Sequence, residues 1–193
     1  MTAARIVGND PYLEAVRDAA PPGRRAELVS GSLLMSPAPR SIHQLAQGAL
    51  YAQLRAAVAV RRRGNSGPPP SWWFLLEPEL HLGPLPDKTN PDITGWRVER
   101  APDVHAYPIT TAPDWVCEVL SPSTESFDRG TKLPAFASHG VAHAWLVDPD
   151  VRRLEVYRLE RASVREVARF DGDALVRVEP FDGVEIDLAE LWG

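Results

Sequence analysis

Trp115-Val116-Cys117-Glu118-Val119-Leu120 is the stretch on which the fold turns. Every residue in it is apolar except Glu118, so both faces of the strand it forms are apolar. Such a strand belongs in the interior of a sheet covered on both sides. Ser121-Pro122-Ser123-Thr124 then makes a turn, and a helix is predicted over roughly 128–139. Pro134 is tolerated there only in a first turn, which sets the regular part near Thr131, and Gly140 suits the C-terminus. VAHAWLVD at 141–148 reads as a second interior strand. Pro149-Asp150 turns it into Leu154-Glu155-Val156-Tyr157-Arg158-Leu159, which alternates as a half-exposed hairpin partner does.

Working back towards the N-terminus, Pro91-Asp92-Ile93-Thr94-Gly95-Trp96 opens a further core strand between loops at 83–90 and 102–113. Residues 72–82 read as one strand, with Pro78 implying an edge position or a bulge. GNSGPPPS at 64–71 is a breaker loop. From 41 to about 63, Ile42, Leu45, Ala49, Leu50, Leu54, Ala57 and Val58 recur at helical spacing, and Arg61-Arg62-Arg63 complements the C-terminal dipole. Residues 26–35 form a hairpin turning at Ser30-Gly31, preceded by an arm over 1–25 with a short helix near 11–19. After the core, strands are expected near 164–170 and 174–178, with a final turn at 188–192. The sum is a single α/β domain over 1–193, with a central mixed sheet flanked by helices and extended by hairpins.

Composition agrees. The chain has 193 residues, 44% hydrophobic and 24% charged, with no run of the ~18 apolar residues that a membrane span needs. The single cysteine, Cys117, makes no internal disulfide, and the N-terminus lacks the apolar stretch of a secretory signal. A cytoplasmic protein of bacterial type is the expectation. The net charge of −5 argues against non-specific coating of nucleic acid, though not against an enzyme that meets phosphate through a metal ion. Of 21 basic residues only Lys88 and Lys132 are lysine. Lysine offers a compact ammonium where arginine offers a planar fork, so each lysine is a candidate for a task arginine cannot perform.

Glu118 carries the chemical argument. A carboxylate in an apolar interior strand must be neutralised, paired or metal-bound, and its same-face neighbours Val116 and Leu120 offer no partner. Asp92, at the start of the preceding core strand, and Lys132, just past the strand-to-helix turn, are the two groups that can converge on it. Two carboxylates and an ammonium would bind Mg²⁺ or Mn²⁺ through oxygen, lowering the pKa of a bound water. Each residue also has a plainer reading. Asp92 alone is a turn acid, Lys132 can pair with Asp128 on its own helix, and Glu118 can belong to a buried Glu–Arg pair. His43, His139 and His143 share no zinc-ligand spacing, Ser121 lacks a nucleophile-elbow frame, and no glycine-rich phosphate loop is present.

These residues resemble a known family. Glu27-Leu28-Val29-Ser30-Gly31, Pro91-Asp92, Glu118-Val119-Leu120-Ser121-Pro122-Ser123-Thr124, Asp128-Arg129-Gly130-x-Lys132-Leu133 and Trp145-Leu146-Val147-Asp148-Pro149 look like the putative restriction endonucleases, formerly a domain of unknown function, of the PD-(D/E)XK nuclease superfamily. The resemblance spans about 24–160 and implies a restriction-endonuclease-like fold, Mg²⁺-dependent (or Mn²⁺-dependent) cleavage of DNA, Asp92 and Glu118 as metal acids and Lys132 as the catalytic lysine. Two departures accompany it. Leu120 occupies the place where the superfamily carries its lysine, and no acid lies within 41–63, where the first core helix usually supplies one. Glu27 is the candidate substitute, beside a hairpin-packing role.

Three functions follow as expectations: a DNA endonuclease, a non-catalytic binding or regulatory protein on the same scaffold, and a metal-dependent hydrolase of another phosphoester. A homodimer suits cleavage of both strands. No segment of the sequence reads as a sequence-recognition element.

Overall fold

The computed structural model describes residues 11–63, 72–84, 87–160 and 163–193. The breaker loop at 64–71 lies outside them, as do the side chains of Arg61, Arg62 and Arg63. The strand predicted at 115–120 is β7 (Trp115–Val119), every residue of it buried. It lies between β6 (Ile93–Arg97), antiparallel, and β8 (His143–Asp148), parallel. β3 (Trp72–Leu76) closes one edge of this sheet, and β9 (Arg153–Glu160) with β10 (Ser163–Asp171) extends the other. The result is a six-stranded mixed sheet in the order β10-β9-β8-β7-β6-β3.

Its two faces follow the strand alternation. Trp115, Cys117 and Val119 join Trp145, Val147, Leu154 and Val156 beneath α2 (Ser41–Arg63) and the C-terminal segment around Phe181, Leu188 and Trp192. Val116 and Leu120 join Ala144 and Leu146 beneath Leu133 and Phe136 of the opposite helix. The helix after β7 begins earlier than its proline suggested. It runs from α3 (Glu125–Phe127) through a π turn (Asp128–Lys132) into α4 (Leu133–Ser138). Pro134 has no N–H and its ring would strike the carbonyl four residues back, so the wider turn lets the helix continue past it.

A second sheet stands beside the first, ordered β2-β1-β5-β4. Here β1 (Arg24–Val29) and β2 (Ser32–Pro37) form the hairpin predicted at 26–35, and Ser30 and Gly31 both take positive φ at its turn. The single strand predicted at 72–82 is two strands in different sheets. Glu77 adopts φ 47° ahead of Pro78 and redirects the chain into β4 (Leu80–Leu82). The loop predicted at 83–90 contains β5 (Asp87–Thr89), held by β1 and β4. The arm helix is α1 (Pro11–Asp18), and the strand expected at 174–178 shrinks to β11 (Leu175–Val176), paired with β12 (Ile186–Asp187). Among the described residues no helix is long and apolar enough to cross a membrane.

The α2 face is built from aromatic rings. Trp115 meets Trp145, Phe74 and Phe181 edge-to-face, with centroids 5.2, 6.0 and 5.0 Å away. Its indole nitrogen has no hydrogen-bond partner, so the ring acts there through packing alone. Trp115→Ala is therefore expected to cost about 3–5 kcal/mol in urea denaturation. Trp115→Phe should cost much less, since no hydrogen bond is lost. A larger loss for Phe than for Ala would contradict this account of the core.

Candidate metal centre

The strand register builds the site. Ile93 pairs with Cys117, and carrying that antiparallel register one residue further sets Asp92 opposite Glu118. Glu118 is level with Leu146 on β8, and Leu146 with Glu155 on β9. Asp92, Glu118, Leu146 and Glu155 thus form one row across the sheet. Three of the four are carboxylates on a mostly apolar face, and all three are buried.

Lys132 answers the row from the helix above. Its Nζ lies 2.7 Å from Glu118 Oε1, 3.1 Å from Glu27 Oε1 and 3.6 Å from Asp128 Oδ1, and only 2% of the side chain is exposed. The i,i+4 pairing with Asp128 exists but is the longest of the three. The ammonium joins three elements: the central strand, its own helix and the β1 hairpin. Glu27 is held in place by Thr89 Oγ1 and by the Asn90 N–H, both donating to its Oε1. The hairpin acid therefore belongs to the site.

Asp92 is fixed from both sides. Its Oδ2 accepts the Val119 N–H at 2.7 Å, and its Oδ1 lies 3.0 Å from His43 Nε2. Gln47, one turn after His43 on α2, donates to the Asp92 carbonyl at 2.9 Å and to Glu77 Oε1 at 3.2 Å. Arg25 pairs with Glu77 at 2.5 Å and reaches within 3.9 Å of Asp92. Gln47 and Arg25 were not singled out by the sequence, and His43 was weighed there only as a zinc ligand and set aside. The apolar periodicity of 41–63 turned the first half of the helix the wrong way: Leu45 is exposed, while His43, Ala46 and Gln47 are buried. Two polar side chains point inward because the site supplies their partners. A His and a Gln at i,i+4 spacing was the available signal.

The charge state follows from this packing. Burial raises the Glu118 carboxyl, Lys132 opposes that, and the neighbouring Asp128, Asp92 and Glu27 add to it, leaving Glu118 well above the usual carboxylate range. Burial also raises Asp128. Burial disfavours the charged form of Glu27 as well, but Lys132 and the Thr89 and Asn90 hydrogen bonds more than reverse this, so Glu27 is lowered. Burial alone would lower Lys132, yet Glu118, Glu27 and Asp128 raise it well above its ordinary value. Lys132 is an ammonium, and it is too little positive charge for the carboxylates around it.

These groups line a cleft of about 290 Å³ walled by the Pro37-Ala38-Pro39 segment on one side and Ser121–Thr124 on the other. Mg²⁺ binds to proteins through one or two carboxylates while keeping several waters. Asp92 and Glu118 fit that pattern: they are adjacent in the row and both border the cleft. Among the described residues no group of three or more His, Cys, Asp or Glu side chains forms a ready-made metal cage. The donors that Asp92 and Glu118 offer are carboxylate oxygens, the kind a hard cation takes.

A sequence profile of the Uma2 family, described as "Putative restriction endonuclease", matches residues 12–189. The chain is similar to the crystal structure of a protein from Anabaena variabilis ATCC 29413 described as a putative nuclease belonging to DUF820. The two share 25% sequence identity and a TM-score of 0.67, over 93% of this chain and 96% of that one. The fold is thus restriction-endonuclease-like. No curated protein matches the chain.

Lys132→Met would leave Glu118, Glu27 and Asp128 buried around an apolar side chain, and removing one partner of a buried ion pair costs about 3–5 kcal/mol. Glu118→Gln should cost clearly less, because Lys132 keeps Glu27 and Asp128. Urea denaturation in chelator measures both, and equal stability of Lys132→Met and wild type would contradict this electrostatic picture.

Proposed function

The chain belongs to the Uma2 family of putative restriction endonucleases, and from that premise we propose that it hydrolyses phosphodiester bonds in DNA with Mg²⁺ or Mn²⁺ held by Asp92 and Glu118. The observation that carries this reading is the surplus of buried carboxylate at an open cleft. Glu27, Asp92, Glu118 and Asp128 border the cleft with Lys132 as the ammonium among them. A buried carboxylate without sufficient counter-charge is costly, so a divalent cation is stabilised there in proportion to that deficit.

When bound, the metal supplies a lowered pKa for a coordinated water and a positive charge beside the scissile phosphate. The protein's own groups do the rest. His43 and the Val119 N–H fix both oxygens of Asp92, so that carboxylate meets a ligand in one orientation. Glu27 and Asp128 hold the Lys132 ammonium next to Glu118. Nζ can thereby donate to an attacking water or to a non-bridging phosphate oxygen without first being ordered. Arg25 and Arg40 also line the cleft, paired with Glu77 and Asp150, and are the guanidinium groups for which a phosphate backbone would compete with those acids. A homodimer would place two such clefts on a duplex.

Nicking of supercoiled plasmid tests the proposal. Activity is expected with Mg²⁺ or Mn²⁺, and none in chelator. Asp92→Asn and Glu118→Gln should each lose more than the ~10–100-fold that a supporting group around a metal is worth. Calorimetric Mn²⁺ binding should vanish in the same variants. Plasmid cleavage undiminished in Glu118→Gln would refute the assignment. Absence of both metal binding and cleavage in the wild type would favour a binding protein that keeps its acids for folding.

A further inference from the structure

The Asp128-Arg129-Gly130-x-Lys132 run contains one charged residue that the metal centre does not use. Arg129 points away from the cleft and grips Glu155. Its Nη1 and Nη2 both donate to that carboxylate, Nη1 also reaches Tyr157 Oη at 3.2 Å, and Nε donates to Glu125 at 2.9 Å. Tyr157 Oη donates to Glu155 Oε2 at 2.7 Å, closing the network. The strand alternation predicted at 154–159 implied a half-exposed partner, but Glu155 is only 2% exposed. A Glu–Arg pair like the one considered for Glu118 occurs here instead, with the glutamate buried and the arginine partly exposed.

The placement of this pair is informative. Glu155 occupies the same sheet row as Glu118, two strands away. At 4.7–4.9 Å per strand the two carboxylate positions are about 9–10 Å apart. Side chains three residues apart on an α-helix lie only about 5–6 Å apart at Cβ and nearly share a face. The segment from Asp128 to Lys132 is a π turn, in which the Leu133 N–H donates to the Asp128 carbonyl five residues back. More residues per turn rotate Arg129 and Lys132 further apart than α geometry would, and each reaches its own acid in the row.

We infer that Arg129 is a positioning residue for the cleavage reaction. Clamped on Glu155, it fixes the rotation and height of the π turn over the sheet, and so delivers the Lys132 ammonium to Glu118. This rests on the nuclease reading for its catalytic consequence, although the effect on Lys132 stands without it. Both residues hang from the same wide turn, so releasing one end lets the other swing. Arg169, whose Nη2 lies 3.7 Å from Glu155, keeps a positive charge near that carboxylate when Arg129 is removed.

The chain's two lysines make the test direct, since a ¹³C-lysine-labelled sample gives one Cε signal each for Lys88 and Lys132. In Arg129→Gln the Lys132 signal should move or broaden while Lys88 stays, and kcat for Mg²⁺-dependent plasmid nicking should fall about 10²-fold, the scale of a ~1 Å misplacement. KM for the DNA should hold. The charge-swapped double variant Arg129→Glu/Glu155→Arg should recover part of both. Should Arg129→Gln fail to fold, Glu155→Gln releases the same clamp without leaving a lone buried carboxylate and is read identically. A folded variant with the wild-type Lys132 signal overturns the inference, whatever its kcat. If the wild type cleaves nothing in Mg²⁺ or Mn²⁺, the nuclease reading fails, and the Lys132 signal alone decides the positioning role.

Discussion

The ammonium of Lys132, buried between Glu118 and Glu27 with Asp128 behind it, is the contact on which the rest of the molecule is arranged. Burying an ammonium and its carboxylate partners costs several kcal/mol per ion after relaxation, and attraction offsets this only when the geometry is fixed. Three separate pieces of structure supply that fixity. The six-stranded sheet holds Glu118, the hairpin sheet holds Glu27 through Thr89 and Asn90, and the π turn holds Lys132 and Asp128. The two sheets therefore meet at a charged junction, where an apolar one would have been less costly. Charge kept at that cost at the mouth of a cleft is the feature on which the proposed function rests.

The same contact explains why the surrounding apolar packing is so one-sided. On the α2 face, Trp115, Trp145, Phe74 and Phe181 form an aromatic cluster without a charged group. On the other face the row of Asp92, Glu118 and Glu155 interrupts the packing of Leu146, Leu133 and Phe136. One side supplies cohesion and the other carries the site. His43 and Gln47 link them, since they belong to the helix that covers the aromatic face yet reach the Asp92 end of the row.

Several of these features were legible from particular residues. Glu118 announced itself because a lone acid in WVCEVL cannot be idle, and the hairpin at Ser30-Gly31 followed from turn chemistry. Lys132 was marked by the rarity of lysine in the chain. Other features were hidden for identifiable reasons. The π turn lies between two anchored side chains, Arg129 and Lys132, just ahead of Pro134, and periodicity does not encode it. Glu155 sat in an alternating pattern that looks the same whether its polar face meets water or an arginine from the helix above. The inward rotation of His43 and Gln47 ran against the apolar stripe used to orient the helix, because that method assumes that only apolar residues turn inward.

The sequence by itself determined the central strand, the mixed α/β class and the need of Glu118 for a polar partner, because those depend on local pattern and on the cost of an unpaired buried charge, while the family motifs pointed to Asp92. It did not determine which groups satisfy that charge. Whether Lys132 reaches Glu118, Glu27 turns into the cleft, His43 holds Asp92 and Arg129 takes Glu155 was decided only by strand register and helix rotation. Those place residues far apart in the chain within a few ångströms of one another, and no spacing along one element specifies them.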